Sequence, residues 1–204
     1  FMIGRIGEVE LAASNMAFSL DTLAFLPIIG LHIAVSTMVG QAIGKGKAHE
    51  GETAAISTFH LALVWMWGMA ILFVLLPEPL LILFKPRDIP LAEYGPILET
   101  GVVLLRFVAL YSLFDGVALV FFGAIKGAGD TMFVMIAQSA LSFLVMVVPV
   151  FVLVEIFNAD VYEVWICITA YIACLATAAG LRYRQGKWKS MRVIEMEAVE
   201  PIKD

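Results

Sequence analysis

From Gly101 to Ala124 the chain is almost wholly apolar, GVVLLRFVALYSLFDGVALVFFGA. That is about the 20 residues an α-helix needs to cross about 30 Å of hydrocarbon. Four further segments of the same character accompany it. Lipid offers no water to backbone N–H and C=O groups, so unbroken apolar segments of this length cross it as helices. The composition agrees: 61% of the 204 residues are hydrophobic and 15% charged, against roughly 45–50% and 25% in soluble domains. The fold class this dictates is all-α, a polytopic transmembrane helix bundle of five spans.

Taken in order, the spans are expected at about residues 9–43, 52–76, 93–124, 131–157 and 160–184, within a membrane domain of 1–185. Residues 186–204 read as a polar, frayed cytoplasmic tail. Gly4 and Gly7 break the segment ahead of the first span. Pro27 and Pro149 each remove an intrahelical hydrogen bond and should bend their helices, near Leu23 and Val145. Gly30 with Ala34, and Gly40 with Gly44, offer small-residue faces for close packing. Asp130 can cap the fourth helix, and Asp160 with Glu163 has the spacing of a capping box for the fifth. Cys167 and Cys174 lie about 10 Å apart along one helix, too far for a disulfide, and read as small buried hydrophobes. Lys45, Lys47, Lys126, Arg182 and the basic residues of the tail fall at one side, Arg5, Lys85 and Arg87 at the other. The positive-inside rule therefore places the C-terminus in the cytoplasm.

The third span carries Asp115. A carboxylate at bilayer depth costs at least about 2.5 kcal/mol, so it faces a bundle interior or a wet cavity. At about 100° per residue Tyr111 and Ser112 share its helix face. Arg106 lies on roughly the opposite face, where it can snorkel or reach Glu99. Something on another helix, a cation or a proton must neutralise Asp115. Asp21, in the first span, reads either as a second cavity-lining carboxylate or as a side chain near the outer interface, satisfied by water, Asn15 or Thr22. His60 reads as a packing residue, and Trp65 and Trp67 as lipid contacts. No soluble-enzyme signature is present: GAIKGAG has neither the spacing nor the Lys-Ser/Thr ending of a phosphate-binding loop. The chain is not expected to be an enzyme or to bind nucleic acid.

The run LAASNMAFSLDTLAFLPIIGLHIAVSTMVGQAIGKGK, followed by LFDG and GAIKGAGDT, resembles the second half of a multidrug and toxic compound extrusion (MATE) transporter. The resemblance covers residues 1–185. It implies twelve helices in two lobes of six, of which this chain supplies the eighth to twelfth, with FMIGRIG ending the seventh. It further implies a cation-coupled antiporter, using Na⁺ or H⁺, that exports organic and often cationic compounds. The implied cation or proton site is Asp115 with Tyr111 one turn earlier, and Asp21 and Ser112 are candidate cavity-lining residues. No metal is implied beyond Na⁺ at Asp115, and no other cofactor. The partners implied are the lipid bilayer, a first lobe outside this chain and a small-molecule substrate, in the plasma membrane of a bacterium. Alternatives are a lipid or lipid-linked sugar flippase of the same superfamily, or a non-transporting membrane subunit.

Overall fold

The computed structural model describes residues 3–85 and 90–191. Arg87, Arg192, the first two residues and most of the expected tail lie outside the described residues. After a 3₁₀ turn at Ile3–Arg5 come α1 (Glu8–Gly44), α2 (Ala48–Leu75) and a short α3 (Pro77–Leu83). Then follow α4 (Leu91–Gly127), α5 (Thr131–Leu141), one stretch of π-helix (Ser142–Val147), α6 (Val148–Ile156) and α7 (Val161–Arg184). A 3₁₀ turn at Lys187–Ser190 ends the described chain. Among the described residues, five helical segments are long and apolar enough to cross a membrane, α5 to α6 counting as one. The fold is a polytopic helical bundle.

The helix α4 is its axis. Its most apolar window is 61% buried, against none of the α5–α6 window, and α1, α2 and α7 pack around it. Lipid tails are as apolar as leucine, so helices in a membrane associate through close packing and interhelical hydrogen bonds rather than through the hydrophobic effect. Both are visible here. A Cβ on Gly127 would stand 2.1 Å from the Ser36 carbonyl oxygen of α1, and one on Gly123 would stand 2.9 Å from that of His32. Gly40 lies against the Gly127 carbonyl in the same way. These small residues let the backbones of α1 and α4 nearly touch.

Hydrogen bonds sew the helices together around that seam. His32 Nδ1 lies 2.8 Å from the Leu119 carbonyl oxygen. Trp65 Nε1–H donates from α2 to the Ala24 carbonyl of α1 at 2.8 Å. Trp165 Nε1–H, on α7, donates to Ser14 Oγ at 3.2 Å, and Tyr94 Oη–H to the Leu81 carbonyl at 2.8 Å. Each such bond contributes roughly 0.6–2 kcal/mol in a membrane protein. Outside the seam the surface is a shell of exposed Leu, Ile, Val, Met and Phe side chains, suited to lipid.

Several expectations need correction. Gly30, Ala34 and Gly44 are exposed, and nothing lies within 4 Å of a Cβ at Gly30 or Gly44. Of the expected small residues only Gly40 packs closely against α4, with Ser36 beside it. His60 is exposed rather than packed. Asp130 makes no side-chain cap for α5. Its carboxylate accepts from Arg182 Nε and Nη2, both at 2.7 Å, in a pair exposed by only 8% and 18%. The Arg182 guanidinium also sits 4.6 Å over the Phe133 ring, so α7 is tied to the start of α5. The tail does not fray at its start. Trp188 is 1% exposed, and it stacks on Tyr183, which meets Phe121, which in turn stacks on Phe59. Lys189 pairs with Glu52 at 2.8 Å.

Other features agree with the sequence. Asp160 and Glu163 close a capping box on α7, with the Asp160 N–H donating to Glu163 Oε2 at 3.2 Å. The π-helix ends next to Pro149, whose missing N–H removes the bond that would otherwise hold α-helical register there.

Two outcomes follow for folding. Gly127→Ala should lose about 1–3 kcal/mol or more from overpacking, read as a fall in the temperature at which the detergent-solubilised protein loses its monodisperse elution peak. Gly30→Ala should leave it unchanged or raise it. Asp130→Ala and Arg182→Ala should each cost about 3–5 kcal/mol. The double variant should cost little more than either single one, because no uncompensated charge remains.

Candidate functional site

The α1–α4 seam sets the depth at which their polar side chains meet. Above the glycine contacts, Asp21 of α1 and Tyr111 of α4 lie within electrostatic reach of each other. Asp115, one turn along α4, lies within electrostatic reach of both Asp21 and Tyr111. Two carboxylates and a phenol from two different helices therefore share one locus in the middle of the spans.

Tyr111 is held there by its surroundings. It is 2% exposed, and its ring lies 6.3 Å from that of Trp165, which stacks in turn on Phe18 at 4.8 Å. Trp165 is itself fully buried and anchored to Ser14. This aromatic floor runs from α1 through α7 to α4 and leaves the phenol little freedom to turn from Asp21. Neither of the neighbours first considered for Asp21 bonds to it: Thr22 Oγ1–H donates to the Phe18 carbonyl, and Ser19 Oγ–H to that of Asn15.

Of the four residues singled out in the sequence, Asp115, Tyr111 and Asp21 come together and Ser112 does not join them. Ser112 is 2% exposed, and its hydroxyl donates to the Ala109 carbonyl at 3.1 Å, so it is satisfied within its own helix. Two residues were missed. Tyr171 of α7 lies within electrostatic reach of Asp115, with Ser142, the first residue of the π-helix, near its hydroxyl. A tyrosine in the interior of an apolar span was the available signal for the first. The second owes its place to the π turn beside Pro149.

Arg106 stands apart. It is exposed, on the side of α4 that faces a groove with Trp67, Ile71 and Val74 of α2, and makes no hydrogen bond or ion pair among the described residues. Chemically, the cluster offers hard oxygen donors and titratable protons without imidazole or thiolate. Such a set suits a hard cation or a proton rather than a soft transition metal.

The comparisons with known proteins point the same way as the bundle and its half-buried acids. The MatE family model matches residues 1–152, which takes in α1 to α4 and both carboxylates. The chain is 28% identical over 192 residues to the probable multidrug resistance protein NorM of Pseudomonas putida, covering 94% of this chain and 40% of that protein. It is 24% identical to the protein of that name from Thermotoga maritima, over 96% of this chain and 41% of the relative. For Pseudomonas aeruginosa the identity is 30%, over 94% of this chain and 38% of the relative. The chain thus spans about 40% of the length of the curated relatives it matches. With a match over three quarters of its residues, on a helical bundle of the kind its sequence dictates, the chain belongs to the MatE family.

Proposed function

We propose that this chain forms one lobe of a cation-coupled multidrug antiporter, and that Asp115, Asp21 and Tyr111 together take the coupling Na⁺ or H⁺. The observation that carries the reading is the meeting of two carboxylates and a phenol between α1 and α4 at membrane depth. Two like charges within electrostatic reach of each other repel in a low dielectric, and one cation or one proton relieves the repulsion. The cluster is therefore bistable with respect to its own occupancy.

The elements that supply it make that bistability mechanical. Asp21 rides on α1, Asp115 and Tyr111 on α4, and Tyr171, with its partner Ser142, on α7 and the π-helix. Neutralising the pair removes a force that pushes α1 and α4 apart at this depth. Charging it again restores the force. In alternating access, one lobe rocks against another around a central site. A change in how α1 and α4 pack is the natural lever for that motion, with the first lobe as the second wall. Organic cations are the expected cargo, because a pair left anionic by the departing ion attracts positive charge. Export, the bacterial plasma membrane and a cytoplasmic C-terminus belong to the same reading; Lys45, Lys47, Lys126 and Arg182 at one end support the orientation. A flippase would be expected to present cations to the cavity. Arg106 sits on the other side of α4 from Asp115.

The test is efflux of a fluorescent organic cation from proteoliposomes holding the full-length protein, driven by a Na⁺ or pH gradient. Asp115→Asn keeps shape and hydrogen bonding but removes the charge, and should insert normally while losing gradient dependence. Asp21→Asn should be impaired in the same way. Tyr111→Phe should keep the ring stack, remove the hydroxyl beside Asp21, and weaken the ion dependence less than either Asp→Asn change. Parent-like coupling in Asp115→Asn across pH and Na⁺ conditions would make the carboxylate structural and place the coupling site elsewhere.

A further inference from the structure

A groove between α2 and α4 opens on the outer surface of the bundle, on the side of α4 away from Asp115. It encloses about 370 Å³, and its walls are apolar side chains, among them Trp67, Ile71, Val74 and Leu110. Arg106 is its one charged lining residue. Arg106 is exposed and forms no ion pair or hydrogen bond among the described residues; Glu99, within reach on the same helix, is not bonded to it.

The depth of Arg106 follows from helix register. A Cβ on Gly116 of α4 would meet Met66 Cγ of α2 at 3.2 Å, so these two residues are level. The start of α2 and the end of α4 both pack on the last turns of α1, so the two helices run in opposite directions. Counting back from Gly116 to Arg106, and forward from Met66 by the same number, reaches Leu76. That is where α2 ends and Pro77 begins α3. Arg106 is therefore level with the end of the apolar α2, the expected edge of the hydrocarbon, and the apolar groove runs from it toward the middle of the spans.

An unpaired guanidinium next to hydrocarbon is costly. The counter-charge available at that level is lipid phosphate, which the guanidinium fork matches bidentately. We propose that this groove is a binding site for an anionic phospholipid. Arg106 holds its phosphate, and one acyl chain lies along Trp67, Ile71, Val74 and Leu110. The site is independent of the ion-coupling cluster, so either can fail without the other.

Trp67 is a reporter placed inside the groove. The protein is reconstituted in phosphatidylcholine vesicles containing rising fractions of phosphatidylglycerol or phosphatidylcholine dibrominated on the acyl chains. Tryptophan quenching is recorded for the parent and for Trp67→Phe, and the difference isolates Trp67. Brominated phosphatidylglycerol should quench that component at about fivefold lower mole fraction than brominated phosphatidylcholine. Arg106→Gln should abolish the difference, and Arg106→Lys, which keeps the charge but not the fork, should retain part of it. Equal quenching by the two lipids would overturn the proposal, as would a preference that survives Arg106→Gln. So would a Trp67 shielded from both lipids because another protein segment fills the groove.

Discussion

The near-contact of α1 and α4 governs this structure. Gly123 and Gly127 on one helix, and Ser36 and Gly40 on the other, bring the backbones to a separation that no Cβ would tolerate. In water, two helices can be held by burying any apolar stripe. In lipid the same stripe gains nothing, and atomic contact with a few hydrogen bonds must hold the pair. Once the glycines fix the separation and register at one end of the seam, the rest of it is fixed too. His32 falls opposite Leu119, and Asp21 falls opposite Tyr111. The polar cluster is thus a consequence of a packing contact several turns away from it.

That dependence explains what the sequence could tell. The spans were legible because length and apolarity are properties of a single segment. Asp115 and Tyr111 were legible as neighbours because a helix places them on one face. The role of Asp21 was not, since its neighbours in its own helix suggested Asn15 or Thr22. Only the register between α1 and α4 selects Tyr111. Glycine misled for a related reason. Gly30 and Gly127 look alike in a sequence, and a membrane helix is apolar all round, so composition does not say which face is buried. Asp130 was ambiguous in another way. A residue that can cap a helix can equally pair with a distant cation, and Arg182 brings the stronger partner. Trp188 shows the limit of reading a charged tail as frayed, because one large aromatic docked on Tyr183 outweighs the lysines that flank it.

The bundle also separates its two acids, Asp21 and Asp115, from Arg106. Asp21 and Asp115 lie inside, between α1 and α4, supported by an aromatic floor that reaches α7. Arg106 lies outside on the same α4, at the level where α2 ends. One helix thus carries an acidic pole toward the interior and a basic one toward lipid.

The account stands on Asp21 and Asp115 forming one site rather than two. Infrared difference spectroscopy of the carboxyl C=O stretch, recorded through a pH titration in Na⁺-free buffer, addresses this directly for the parent, Asp21→Asn and Asp115→Asn. Interacting carboxyls titrate as a pair. In the parent, protonation should therefore occur in coupled steps, and in each variant the remaining carboxyl should titrate at a changed pH. A remaining carboxyl that titrates as it does in the parent would mean that the two acids are independent and that no shared site exists between α1 and α4.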